Sequence, residues 1–166
     1  MPLRFLLFKT HTSWLYPVAF SKNPKLQRLW LQNNKLDSHS VTDKTFARNE
    51  DIRILNLSNN RITWLSPQVF QSLGKLTHLY LGKNRLMNVE AGTFKNTKEL
   101  QYLYLGGNLI SNFPKFLLSN CTQLKKLGIE NNFFKPDGLK QLFAARTRST
   151  AGHFELDVRF KDWIFL

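Results

Sequence analysis

The chain has 166 residues, a length that suits one domain or a short array of repeats. Its 24 Lys and Arg residues outnumber its 11 Asp and Glu residues, so the formal net charge of +13 favours anionic partners such as nucleic acid, sulfated glycan or acidic protein. The single cysteine, Cys121, excludes an intrachain disulfide framework, and no stretch approaches the roughly 18 apolar residues of a membrane span.

The first predicted element is a degenerate repeat unit at the amino terminus. Phe5 and Leu7 alternate as in a strand. Leu15 and Phe20 precede position 26 by the same two intervals at which a pair of apolar residues precedes the start of each later unit. The apolar run here is broken at Lys9, too early for the core of a signal peptide. We therefore expect these residues to belong to the fold.

Five clear repeat units follow, starting at residues 26, 52, 76, 100 and 124. Each unit carries apolar, two variable, apolar, variable, apolar, two variable, Asn, variable and apolar positions. The alternating part predicts a short strand with one face turned inward. One such unit cannot bury its apolar face alone, so the units are expected to stack and share a continuous core.

Two columns of residues explain how the units would stack. An asparagine inside an apolar motif needs buried partners, and its amide can satisfy backbone groups where the chain turns away from the strand. The asparagines are Asn34, Asn60, Asn84, Asn108 and Asn132. A second column is apolar and is expected to fill the space behind the strands: Phe46, Phe70, Phe94 and Leu118.

The pattern resembles the typical 24-residue class of leucine-rich repeats, seen in Toll-like receptor ectodomains, small leucine-rich proteoglycans and Slit-like proteins. The resemblance covers roughly residues 12–134. It implies an α/β-type repeat, a curved solenoid with a parallel β-sheet on its concave face and a mostly irregular or short helical convex side. It also implies an extracellular protein-binding role. The family usually adds cysteine-rich caps, which one cysteine cannot form, so a truncated fragment of a larger leucine-rich-repeat receptor is an alternative.

The carboxyl-terminal segment departs from the repeat. We divide the chain into a solenoid at residues 1–134 and a capping segment at residues 135–166. A short helix is predicted around residues 137–146, and the alternation in residues 153–160 predicts a strand. The open end of a solenoid exposes core and an unpaired strand edge, which is why a cap is expected.

Aromatic residues occupy variable positions of the predicted concave face, where exposed rings are typical anchors of protein interfaces. The candidate partner-binding residues are Trp30, His78, Tyr80, Tyr102 and Tyr104. Gly82 and Gly106 stand beside them and are expected to leave room for close approach of a ligand. The alternative is that these rings only stabilise the sheet through cross-strand pairs.

A basic column predicts a second candidate function, polyanion binding to RNA, DNA or sulfated glycan. Lys35, Arg61 and Arg85 each follow a repeat asparagine, and Arg28 and Lys126 add charge on the strand face. Cations at this spacing repel one another unless an anion lies between them. The alternative is an ordinary basic surface in contact with solvent.

Two glycosylation sequons begin at Asn56 and Asn120 and indicate, with the resemblance, an extracellular or secretory-pathway protein. No HExxH, GxSxG or phosphate-binding glycine loop occurs, so we expect neither catalysis nor a cofactor, a metal or a small-molecule substrate. Cys121 occupies a repeat position at which packing is expected. The function predicted is a non-enzymatic scaffold or receptor-type module that binds a protein ligand through its concave face.

Overall fold

The computed structural model describes residues 3–7 and 10–135, together with the backbone of residues 155–157. These residues form one sheet in which each strand is parallel to the next strand along the chain. The strands are β1 (Leu3–Leu6), β2 (Leu26–Trp30), β3 (Ile54–Asn56), β4 (His78–Tyr80), β5 (Tyr102–Tyr104), β6 (Lys126–Gly128) and β7 (Glu155–Asp157). The predicted leucine-rich-repeat solenoid with a parallel concave sheet is therefore confirmed.

The strand register follows the repeat of the sequence. The central leucines of five strands pair in line across the sheet: Leu29, Leu55, Leu79, Leu103 and Leu127. All five are fully buried because alternation along a strand turns them to the inner face. Residues on either side of each leucine consequently face the concave surface.

The strand β1 lies within the segment predicted as a degenerate first unit and ends at Leu6, one residue before Leu7. This strand runs parallel to β2, with a register shift between Leu3 and Arg4, and its side chains are exposed. Thr10 stands where later units carry asparagine. Its backbone N–H and its hydroxyl both donate to Asn34 Oδ1, at 3.2 and 3.0 Å, so the first unit is joined to the second without an asparagine of its own.

The convex side consists of successive turns, and residues 3–7 and 10–135 contain no helix. In the turn of the third unit, for example, Val69 N–H donates to Ser66 O at 3.1 Å. The irregular convex side is thus observed, and the short helices considered for it are absent from this part of the chain. The helix predicted around residues 137–146 lies outside the described residues, whereas β7 falls within the segment predicted as a strand.

The core between the sheet and the turns is a ladder of stacked phenylalanine rings. The Phe46 and Phe70 centroids lie 6.5 Å apart, and those of Phe70 and Phe94 lie 6.2 Å apart with planes only 6° from parallel. These three side chains are at most 1% exposed. Phe20 of the first unit continues the ladder, 6.3 Å from Phe46.

The repeat asparagines form a second ladder at the edge of the sheet. Asn84 shows the shared arrangement: its Nδ2 donates to Leu57 O at 3.0 Å and Leu81 O at 2.9 Å, while its Oδ1 accepts from Ile62 N–H at 3.2 Å. Two of these three bonds reach the preceding unit. Four of the five asparagines are buried, whereas Asn132 is half-buried with the same bonding pattern.

Candidate recognition surface

Two rows of side chains project from the concave face because they flank the buried leucines of each strand. The row on the carboxyl side of the leucines is Trp30, Asn56, Tyr80, Tyr104 and Gly128. The row on the amino side is Arg28, Ile54, His78, Tyr102 and Lys126. Their five aromatic side chains, which we call the aromatic array, are those of Trp30, His78, Tyr80, Tyr102 and Tyr104, the candidate partner-binding residues.

The rings of the aromatic array contact one another across the adjacent strands β4 and β5 and reach the ring on β2. The Tyr80 and Tyr104 rings stack with centroids 5.0 Å apart and planes 2° from parallel. His78 stacks on Tyr102 at 4.5 Å and lies 6.4 Å from Tyr80, so the two rows merge. All five side chains are half-buried, with one side of the array accessible to solvent. The sheet thus presents a continuous apolar surface edged by phenol hydroxyls.

Trp30 joins the array from two strands away. Its ring lies 6.5 Å from that of Tyr80, although β2 and β4 are separated by β3 and therefore by about 10 Å. The two rings lean toward each other over Asn56 of β3, which is only 9% exposed. Asn56 Oδ1 accepts from the Ser58 N–H and hydroxyl at 3.0 and 2.6 Å.

This environment argues against glycosylation at Asn56, which the sequon predicted. A sugar on Nδ2 would have to pass between the Trp30 and Tyr80 rings, and the sequon hydroxyl of Ser58 is already bonded to Asn56. The second sequon is more open: Asn120 is half-buried at a turn, and its Nδ2 donates to Lys95 O at 3.0 Å. Cys121 beside it is 2% exposed, and burial raises the pKa of its thiol to about 11, which fits the predicted packing role.

His78 is held as a neutral imidazole. Burial lowers the pKa of His78 below its ordinary value of 6.5, and the positive charges of Arg28 and Lys125 lower it further. The Thr77 hydroxyl donates to Arg53 O at 2.9 Å, so its 2.9 Å contact with His78 Nδ1 requires the ring to donate there. Nε2 of His78 is then left with a lone pair, and the array gains a hydrogen-bond acceptor.

The Tyr80 hydroxyl remains protonated for a related reason. Burial raises the pKa of Tyr80, and the neighbouring Tyr104 and Tyr102 raise it further. A phenol in this state can both donate and accept a hydrogen bond. The array therefore combines ring faces with neutral polar groups.

Gly106 accommodates a neighbouring side chain, which corrects the expectation that this glycine leaves room for a ligand. A Cβ on Gly106 would overlap Glu130 Oε1, so the Glu130 carboxylate occupies that space. A Cβ on Gly128 would lie 3.0 Å from Tyr104 Cδ1, so the Tyr104 ring fills the gap there. A Cβ on Gly82 would meet Gly106 O at 3.1 Å. The absence of side chains at Gly106 and Gly128 thus leaves space for Glu130 and Tyr104.

A second surface, the basic edge, lies where the chain leaves the strands. Lys35, Arg61 and Arg85 are exposed there and line one open depression of about 320 Å³. The other lining residues are His11, Asn33, Asn34, Asn59 and Asn60. The other two predicted anion-binding residues, Arg28 and Lys126, belong to β2 and β6 of the concave face and are not brought to this depression.

The turn that builds the basic edge was not predicted from the sequence. The residue before each repeat asparagine takes the left-handed conformation, with φ of 58° at Asn33, 54° at Asn59 and 55° at Lys83. Asparagine and glycine tolerate this conformation best, and Gly107 and Asn131 hold the equivalent places. The Asn-Asn and Gly-Asn pairs of the repeats were the available signal.

The described residues carry no group of three or more His, Cys, Asp or Glu arranged to hold a metal ion. Nor does any helix in that part of the chain have the length and apolar character needed to cross a membrane.

Comparisons with known proteins identify the family. The leucine rich repeat family profile matches residues 24–86 and 75–134. Human podocan-like protein 1 is 34% identical over 62 residues, 37% of this chain and 12% of that protein. The pig NT-3 growth factor receptor is 46% identical over 48 residues, 29% of this chain and 6% of the receptor. The matched segments thus span about an eighth or less of these relatives.

Solved structures give the same fold. The structure described as a TLR13–ssRNA13 complex aligns with a TM-score of 0.78 at 23% identity, over 92% of this chain and 21% of that one. A chain from the octameric complex of Latrophilin 3, Unc5D and FLRT2 (LRR) aligns with a TM-score of 0.72 at 24% identity, over 78% of this chain and 40% of its own. By its repeats, its register and these matches, the chain belongs to the leucine-rich-repeat family.

Proposed function

We propose that this chain is a non-enzymatic recognition module that binds a protein ligand through the aromatic array of its concave face. The observation that carries the proposal is the continuity of the array, in which Tyr80 contacts Trp30, His78 and Tyr104 at 5.0 to 6.5 Å. Sheet stability does not require such a surface in water, and exposed apolar patches of this kind mark interaction sites.

The chemistry of the array suits a protein surface. Tyrosine and tryptophan bury large areas with few rotatable bonds, and their polar groups find partners at an interface. The rings are pre-arranged by stacking, so ordering them on binding costs little conformational entropy. His78 Nε2 and the tyrosine hydroxyls supply the directional hydrogen bonds that such interfaces use.

The proposal places the ligand in an extracellular or secretory-pathway setting. A growth factor receptor among the relatives and the open sequon at Asn120 support this setting. The structural neighbour from the Latrophilin 3, Unc5D and FLRT2 complex comes from an assembly of proteins, the class of ligand proposed here.

The test is a screen of purified extracellular proteins with the full chain as the probe. Proteins that bind the wild type are tested again with the double variant Tyr80→Ala, Tyr104→Ala. A matched double variant, Tyr16→Ala and Trp64→Ala, removes two rings that are 77% and 46% exposed and lie outside the array. We expect the first variant to lose the ligand and the second to keep it. A ligand that still binds the Tyr80→Ala, Tyr104→Ala variant but no longer binds the Tyr16→Ala, Trp64→Ala variant would contradict the proposal.

A further inference from the structure

The basic edge differs from the aromatic array in chemistry and in position. Within the described residues, the ion pairs join Lys25 and Lys75 to Asp51, and His39 to Asp37. The three cations of the basic edge have no such partner there, and none of the residues that line its depression is acidic. Their charges are therefore uncompensated by this part of the chain.

The spacing of the three cations makes this site suited to an extended anion. Lys35, Arg61 and Arg85 occupy the same position in successive units, which repeat at about 5 Å across the sheet. Their backbone N–H groups donate in the same way, each to a carbonyl of the preceding unit at 2.8 to 2.9 Å. Like charges held in this way repel one another, and a bound polyanion would relieve that repulsion.

The floor of the depression is polar and carries amides. Asn59 Nδ2 donates to Asn33 Oδ1 at 2.6 Å, so two amides lie side by side in the lining that also contains the cations. Amides can donate to and accept from hydroxyl groups. The lining contains no Phe, Tyr or Trp, and no residue of the aromatic array belongs to it.

We propose that the basic edge binds a sulfated polysaccharide, with Lys35, Arg61 and Arg85 contacting successive sulfate groups and the Asn33 and Asn59 amides bonding to sugar hydroxyls. A sulfated sugar chain offers the two groups that this lining recognises. Single-stranded nucleic acid is disfavoured because it relies on successive aromatic rings that stack its bases beside the phosphates, and the lining offers one imidazole, that of His11, with no Phe, Tyr or Trp. This site is independent of the protein-binding array.

The experiment measures binding of a heparin octasaccharide to the full chain by calorimetry. The triple variant Lys35→Gln, Arg61→Gln, Arg85→Gln removes the cations of the basic edge. The control triple Lys44→Gln, Arg48→Gln, Lys98→Gln removes the same formal charge from exposed positions of the convex turns. We expect the first variant to bind about tenfold more weakly, the scale of three exposed ion pairs, and the control to change affinity less than about twofold.

Two further probes complete the test. A fully desulfated octasaccharide should not bind, and Tyr80→Ala should leave heparin affinity unchanged, since the array is separate. Equal losses in both triple variants would show attraction by net charge alone and would overturn the proposal. It would also be overturned if the first triple variant lost affinity for a uridylate 20-mer RNA while keeping its affinity for heparin. Thermal unfolding of each variant checks that the solenoid is intact.

Discussion

At the scale of single residues, the repeat asparagines join neighbouring units. Each amide donates to the end of its own strand and to the preceding unit, and accepts from a backbone N–H of that unit. The side chain thus satisfies backbone groups that the sheet leaves unpaired where the chain turns away. These groups are buried, so their loss of a partner is costly.

Replacing Asn84 with alanine should therefore destabilise the chain. The change removes the partner of Ile62 N–H and one of the two amide donors to each of Leu57 O and Leu81 O. We expect a loss of roughly 1–3 kcal/mol in the free energy of unfolding. Chemical denaturation measures this loss. Asn88→Ala, at an exposed position, is the control and should stay within about 0.5 kcal/mol of wild type. Equal stability of both variants would contradict the role assigned to the asparagine ladder.

The titration of His78 is a second prediction at this scale. Its folded-state pKa lies below 6.5, so the neutral ring contributes stability at higher pH that is lost as pH falls through the folded-state pKa. Removing the charge of Arg28 by Arg28→Gln should raise the pKa, although burial still keeps it low. Nuclear magnetic resonance of the imidazole protons follows both titrations. A wild-type midpoint at or above 6.5, or one that Arg28→Gln leaves in place, would refute the environment described for His78.

The two sequons should behave differently when the chain is produced in the secretory pathway behind an added leader. Asn56 is covered by Trp30 and Tyr80, whereas Asn120 is half-buried at a turn. We expect Asn120→Gln to abolish the mobility shift caused by glycosylation and Asn56→Gln to leave it unchanged. A glycopeptide containing modified Asn56 in the mass spectrum would contradict the close packing described around Asn56.

At the scale of elements, the strands and the phenylalanine ladder act as one packing unit. The Phe94 ring is fully buried and stacks on Phe70 at 6.2 Å, so no solvent can fill the space if it is removed. Each unit contributes one layer to a core that only its neighbours complete.

Truncating that layer should leave a cavity. Phe94→Ala is expected to cost about 3–5 kcal/mol in the free energy of unfolding, while Phe133→Ala, at a side chain 66% exposed, should cost far less. The two variants delete the same atoms, so the difference between their denaturation curves isolates the effect of burial. Similar losses for both would mean that the ladder is not the core.

The repeat pattern predicted the strands, their register and the buried ladders because each follows from spacing along the chain. The period of the apolar positions fixes which side of a strand faces inward, as Leu79 and Tyr80 illustrate. The spacing could not predict how side chains fill gaps left by small neighbours. The Trp30 ring lies near that of Tyr80, two strands away, because the small Asn56 side chain stands between them. The Glu130 carboxylate covers Gly106 because that neighbouring residue has no side chain.

The basic edge shows the same limit. Five cations were predicted from the sequence to form one anion-binding site, but only Lys35, Arg61 and Arg85 line the depression. Arg28 lies on the concave strand face, where its charge lowers the pKa of His78. The left-handed turn after each strand separates the two groups, and that turn depends on a backbone conformation which the apolar pattern does not encode.

At the scale of the whole molecule, one solenoid presents two surfaces of different chemistry. The aromatic array carries neutral hydrogen-bonding groups and ring faces, whereas the basic edge carries uncompensated charge. Binding at the array should depend mainly on contact area, and binding at the basic edge mainly on ionic strength. The net charge of +13 would speed the approach of anionic partners to either surface.

The most direct test of the account measures the affinity of a protein ligand, found in the screen, for single variants of the array. Tyr80→Ala, Tyr102→Ala and Tyr104→Ala should each weaken binding by about 2 kcal/mol or more, because each removes a central ring of the interface. The dependence of affinity on salt should stay the same, since no charge is lost. If all three variants bind as tightly as wild type, the concave face is not the recognition surface and the proposed function is wrong.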